Sequence, residues 1–218
     1  MILRDIYLYP DLREFPALSS DVRFETRSIC HFLAREVLKR LKHRAEFRRL
    51  CLIGKEHPSE TPVVNSSKAA CVDFPFDSSK WQSLEGDQTR AEFYAQQLEI
   101  GLKRAEGKLD LPFDELGAGI ERFRASAYEN TWIHKKRRMD RGIFATLRCR
   151  LTMSQFQLSL SVERESSTLW SETILETKPD ELLFAHRFRD LSIEDNSLVV
   201  TSQTTDPLFS LSLETLEK

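Results

Sequence analysis

The amino-acid sequence predicts an α+β fold with a mainly antiparallel C-terminal sheet packed against about three amphipathic helices. Between Gly142 and Val162 two segments alternate about a short polar turn. Ile143, Ala145, Leu147, Cys149 and Leu151 oppose Phe144, Thr146, Arg148 and Arg150 in the first; Phe156, Leu158, Leu160 and Val162 oppose Gln155, Gln157, Ser159 and Ser161 in the second. This is the pattern of a half-buried antiparallel hairpin. Ahead of Tyr128, three stretches instead repeat their apolar residues at helical spacing. The change of period after Tyr128 segregates helices from strands, as in α+β proteins.

Taken in order, the first strand is expected over Leu3 to Tyr9, closed by Pro10-Asp11, and a polar segment with Pro16, Ser19 and Ser20 follows. A helix is predicted from about Thr26 to His43, because Ile29, Leu33, Val37 and Leu41 recur on one side with Arg35, Lys39, Arg40 and Lys42 on the other. Its basic last turn complements the helix dipole. Arg49 to Ile53 and Ala69 to Phe74 read as strands, ended by Gly54 and Pro75; residues 56–68 and 77–86 read as loops. Trp81, in the second loop, is expected to seal a core edge.

The second helix is predicted from Asp87, as N-cap, to about Glu106, with Gly107 as its stop. The third runs from Pro112 to about Tyr128 through Phe113, Leu116, Ile120 and Phe123. Beyond the central hairpin, strands are expected at Thr168 to Glu176, Leu182 to Phe188, Ser197 to Ser202 and Leu208 to Leu213. Lys178-Pro179-Asp180 and Glu194-Asp195-Asn196 supply turns between them. One α+β domain over residues 1–218 is the expectation, the helices covering the inner face of the C-terminal sheet. A finer division into an N-terminal α/β part, residues 1–130, and a C-terminal β-meander, residues 131–218, follows the change of period.

With 40% hydrophobic and 30% charged residues among 218, the chain has the composition of a packed globular protein. Arg4 and Asp5 interrupt the apolar start that a signal peptide needs, and no apolar run approaches the roughly 20 residues of a membrane span. The expectation is a soluble, cytoplasmic protein without membrane association. Cys30, Cys51, Cys71 and Cys149 are scattered through apolar-patterned segments and read as small buried hydrophobes, without the spacing of zinc ligands or of a disulfide framework.

The net charge of −2 conceals segregation. Residues 21–55 hold ten basic and four acidic side chains and residues 131–150 seven and one, whereas residues 151–218 hold twelve acidic and five basic. Such fields steer charged partners.

No catalytic set, metal site or cofactor site is predicted. Gly117-Ala118-Gly119 lies inside a predicted helix without a preceding strand, so it reads as a close-packing contact and not as a dinucleotide fingerprint. His31, His43, His57, His134 and His186 are dispersed, and no serine sits in a Gly-x-Ser-x-Gly elbow. Asp73 and Asp77 near a strand end read as turn acids, with no Glu-x-Lys strand after Asp73 to complete a metal nuclease.

The run His134-Lys135-Lys136-Arg137-Arg138, with Arg141, Arg148 and Arg150, offers a nucleic-acid reading: on one strand face Trp132, His134, Lys136 and Arg138 would extend across Arg148 and Arg150 to meet phosphates and stack on a base. Lys136, Arg138, Arg148 and Arg150 are the residues of that alternative. Cross-strand pairing of these bases with Glu163, Glu165 and neighbouring acids across the meander is the competing reading.

The opening Ile6-Tyr7-Leu8-Tyr9-Pro10-Asp11-Leu12, the α+β pattern and a concentrated acidic region resemble bacterial immunity proteins of polymorphic toxin systems, many of which are more acidic than this chain. What the resemblance implies is a non-catalytic, cytoplasmic module that binds and neutralises a toxin domain. The candidate partner-binding residues are Glu172, Glu176, Asp190, Glu194 and Asp195. Nucleic-acid association through the basic face is the alternative, and an unrecognised hydrolase the third.

Overall fold

The computed structural model describes residues 1–139, 142–165 and 167–217, without the side chains of Leu216 and Glu217. It has the expected α+β character, and the chain forms two compact units that meet in sequence at Asn130 and Thr131.

The first unit is built on β1 (Asp5–Pro10), β2 (Arg49–Lys55), β3 (Val63–Val64) and β4 (Ala69–Pro75). Its strand order is β1-β2-β4-β3, with β1, β2 and β4 parallel and β3 antiparallel at the edge. Register aligns Leu8, Leu52 and Val72 on one face and Tyr7, Cys51 and Cys71 on the other. The first face is covered by helices, from the helical crossover between β1 and β2 and from the helices that follow β4, whereas only β3 lies between β2 and β4. Ile6, Leu8, Leu50, Leu52, Ala70, Val72 and Phe74 are accordingly buried.

Those helices are α1 (Ser19–Glu25), α2 (Arg27–Leu33), α3 (Lys39–Leu41), α4 (Ser78–Gln82), α5 (Asp87–Ala105) and α6 (Phe113–Ala125). The helix expected from Thr26 to His43 is present but interrupted: a π-helical turn, Ala34–Leu38, separates α2 from α3, and Lys42 ends it in the left-handed region at φ 53°. Its start also differs, since α1 occupies part of the segment read as polar connection, and the buried Thr26 hydroxyl donates to the Leu8 carbonyl at 2.7 Å. Trp81 lies on α4 instead of a loop. It is buried as expected, and its indole donates to the Tyr94 hydroxyl at 2.6 Å. Gly86, not Asp87, caps α5, and Asp87 takes the first turn, where its charge still favours the dipole.

Glycine permits close packing at two points. A methyl on Gly101 would lie 2.7 Å from a Leu52 side-chain carbon, and one on Gly119 would lie 2.7 Å from both Leu33 and Val37. Gly117, two residues away, has nothing within 4 Å of that position. The close-packing role therefore belongs to Gly119 alone of that pair.

The second unit contains β5 (Asn130–Arg138, of which Asn130 belongs to the first unit), β6 (Ile143–Leu151), β7 (Phe156–Arg164) and β8 (Ser167–Thr177) in that spatial order. The expected β6–β7 hairpin forms, with Leu147 opposite Leu160 and Cys149 opposite Leu158. A second antiparallel sheet, ordered β11-β10-β9, comprises β9 (Asp190–Glu194), β10 (Ser197–Thr201) and β11 (Pro207–Ser212). Asp195 and Asn196 turn β9 into β10 at φ 45° and 59°, the left-handed conformation that Asn and Asp tolerate.

Two expectations are corrected in this unit. Leu182 to Phe188 is not a strand: Glu181–Phe184 forms α7, capped by Asp180, which accepts from the Leu182 amide at 3.0 Å. The apolar face of the β5–β8 sheet also finds its cover within the unit. Phe184, Phe188, Leu191, Leu198, Val200 and Leu211 bury Leu147, Cys149, Leu158 and Leu160, while in the first unit α1 and α2 pack on β1, α5 on β2 and β4, and α6 on α2 and α5. Phe156 stacks on Phe184 at 3.7 Å and on Phe188 at 5.6 Å between centroids. Such pairs add about 0.5–1.5 kcal/mol beyond the area they bury.

Candidate functional site

The inner face of the β5–β8 sheet is closed by its core; on the outer face Arg148 and Arg150 are exposed, Phe144 is half-buried and Thr146 is buried. Alternation directs Phe144, Thr146, Arg148 and Arg150 outward from β6. In register across the sheet, Arg148 faces Ser159 and then Thr173, and Arg150 faces Gln157 and then Glu176. Ser159 and Thr173 share a hydroxyl hydrogen bond at 3.2 Å, and the Gln157 amide donates to Glu176 at 3.0 Å. Glu163 stands opposite Phe144, with the Ser161 hydroxyl donating to it at 3.3 Å. The residues directly opposite Arg148 and Arg150 on β7 are thus a serine and a glutamine, with Glu176 one strand further on from Gln157.

Along β5 the basic run divides. Trp132 packs on Phe156 at 6.2 Å and His134 on Phe188 at 4.8 Å, so both face the core. His134 further meets the Arg189 carbonyl at 3.0 Å, Arg137 donates to the Leu191 carbonyl at 3.2 Å, and Lys135 pairs with Asp190 at 3.0 Å. Lys136 instead lies over the Phe144 ring at 4.7 Å, on the outer side with Arg148 and Arg150. Arg138 is exposed at the end of β5, and Arg141 lies outside the described residues. A single face carrying both Trp132 and Lys136 is therefore not formed, and the indole is unavailable for stacking on a base. Ile133, between two inward residues, is 51% exposed on the outer side.

The five acids proposed from sequence occupy separate places. Glu176 is on the outer face, whereas Glu172 stands in register with the inward Leu160 on the opposite side of β8. Asp190 and Glu194 mark the two ends of β9, and Asp195 begins the hairpin turn. The Lys135 ammonium beside Asp190 holds that carboxyl below its usual range. Glu194 accepts from the Ser192 hydroxyl at 2.5 Å.

In the first unit, Asp73 pairs with Lys55 at 3.0 Å, and Asp77 caps α4 by accepting from the Lys80 amide at 2.9 Å, with the Ser79 hydroxyl lowering its pKa. Cys30, Cys51 and Cys149 are buried and Cys71 half-buried, all as free thiols. Burial pushes Cys51 and Cys71 up, away from thiolate chemistry at neutral pH. Among the described residues no group of three or more His, Cys, Asp or Glu is placed to hold a metal ion, and no helix is long and apolar enough to cross a membrane.

Alternation along β6 placed Phe144 on the outer face with Arg148 and Arg150, as observed, but Ile133 was missed, because strict alternation along β5 places it differently from the observed packing. No protein-family model, curated protein or solved structure matches the chain.

Proposed function

We propose that this protein is a non-catalytic, cytoplasmic binding module, an immunity protein that neutralises a toxin domain, and that the outer face of its C-terminal sheet is the partner surface. The observation that supports this most is the mixed character of that face. Lys136, Arg148 and Arg150 lie on one flank, Ser159 and Thr173 in the middle, and Glu176 on the far strand. Ile133 and Phe144 add apolar area beside the cations. An exposed isoleucine and a half-buried phenylalanine within a rim of both charge signs suit a protein partner.

Nucleic-acid binding is the second reading, favoured by Lys136, Arg148 and Arg150 sharing the outer face. Against it, Glu163 and Glu176 share the face and repel phosphates.

The reading frame directly upstream is expected to encode a toxin-like C-terminal domain, and co-expression with that domain tests the proposal. Growth arrest by that domain is expected to be relieved by the intact chain and not by the Ile133→Asp, Arg150→Glu variant. Failure of the intact chain to restore growth overturns the immunity reading. Steeply salt-dependent binding to mixed-sequence DNA or RNA, lost in the Arg148→Gln, Arg150→Gln variant, establishes the second reading in its place.

A further inference from the structure

On the first unit, β2 and β4 run parallel in a register that sets Cys51 directly beside Cys71. Neighbouring strands lie about 4.7–4.9 Å apart, and disulfides join residues whose Cα atoms are about 4.4–6.8 Å apart. Both side chains leave the sheet on the side opposite Leu8, Leu52 and Val72, and both line a cleft of about 500 Å³. Cys30 and Cys149 lie elsewhere, the one on α2 and the other on β6 of the second unit.

The two thiols are free and differ in access, Cys51 being buried and Cys71 half-buried. They belong to a chain of hydrogen bonds in which the Tyr9 phenol donates to Cys51 and the Cys51 thiol to the Cys71 sulfur. A sulfur that accepts is better supported as a thiolate than one that donates, so Cys71 is the readier nucleophile of the two. Burial raises both thiols, and the Asp73 carboxylate acts on Cys71 in the same sense. A thiol raised in this way attacks through a small thiolate fraction and is a poor leaving group. A disulfide between two of them forms slowly and opens slowly.

We propose that Cys51 and Cys71 are a redox-sensitive pair, which a small-molecule disulfide oxidises to an intramolecular disulfide between β2 and β4. Cys71, the more accessible, loses its proton to water, and its sulfur attacks one sulfur of glutathione disulfide. A bond forms between Cys71 and that sulfur, the glutathione S–S bond breaks, and the departing thiolate takes up a proton. Cys51 then loses its proton and attacks the Cys71 sulfur, expelling the second glutathione, which is protonated in turn. Two protein thiols are oxidised, and one glutathione disulfide is reduced to two thiols. The cross-link closes the segment 52–70, which holds the edge strand β3. A reducing compartment keeps the pair as thiols, so the bond marks oxidising conditions. The proposal is independent of the partner surface on the C-terminal unit.

Incubation of the reduced, folded full chain in glutathione buffers of rising oxidised fraction, followed by acid quenching, alkylation and peptide mass mapping, tests it. Two of the four thiols are expected to be lost together, with Cys51 joined to Cys71, and both to return under dithiothreitol. Cys51→Ala is expected to stop at a mixed disulfide of Cys71 with glutathione, and Cys71→Ala to keep Cys51 as a free thiol. Glutathione on Cys51 in the second variant overturns the order of attack. In oxidised glutathione alone, a chain that keeps all its thiols, or that holds a mixed disulfide without the cross-link, overturns the proposal. A bond to Cys30 or Cys149 overturns it as well. The intact chain gives these outcomes by itself, whether or not a variant folds.

Discussion

His31 sits on α2 among groups that leave no room for a proton. Its Nδ1 lies 3.2 Å from the Asn130 amide nitrogen, which also donates to the Ser28 carbonyl at 2.8 Å, while Arg35 donates to the Asn130 carbonyl oxygen at 3.1 Å. Burial, with the positive charges of Arg35 and Arg27, pushes the imidazole from its ordinary 6.5 down to about 3. The unfolded chain therefore takes up a proton near pH 6.5 that the folded chain refuses until about pH 3. Stability from this site is complete above the unfolded value and declines as pH falls through that window, by up to about 1.4 kcal/mol per pH unit. Urea unfolding at stepped pH between about 6.5 and 5, above the carboxylate range, is expected to show that slope in the intact protein and a shallower one in His31→Gln. Equal slopes would remove His31 as the origin.

At the scale of elements, close approach of α6 to the segment around α2 depends on one missing methyl. Gly119→Ala drives a carbon against Leu33 and Val37, both buried, and is expected to destabilise by about 1–3 kcal/mol. Gly117→Ala, on open ground in the same helix, is expected to be neutral or to stabilise by up to about 1 kcal/mol. Paired thermal melts check the contrast, and similar losses in both variants would refer the effect to the helix as a whole. The sequence placed this glycine pair in a helix but could not separate its members, because spacing says which residues share a helix and not which neighbouring side chain arrives. Leu182 to Phe188 failed for a different reason. Leu182, Phe184, His186 and Phe188 alternate as a strand would, yet Asp180 before Glu181 is a helix start, and the four-residue separation of Phe184 and Phe188 lets both stack on Phe156.

For the molecule as a whole, the strands and long helices were legible where one periodicity ran for two turns or more, as in α5, α6 and the β6–β7 hairpin. What covers each sheet was not legible, since an apolar face specifies burial without specifying its partner; hence the aromatic cover by Phe184 of α7 and Phe188 ahead of β9 came from the structure. The candidate surface shows the same limit. Arg148 and Arg150 were placed on one face by alternation, whereas the scatter of Glu172, Glu176, Asp190, Glu194 and Asp195 follows from a bulge in β8 and a separate hairpin. The affinity of the purified chain for the upstream-encoded domain, measured for two charge reversals, tests most directly whether the outer sheet face is the partner surface. Arg148→Glu with Arg150→Glu is expected to weaken binding at least about tenfold, about 1.4 kcal/mol, and Glu194→Lys with Asp195→Lys to change it less than about twofold. Loss of binding on reversal of the hairpin acids, with the arginine variant unaffected, would contradict the account.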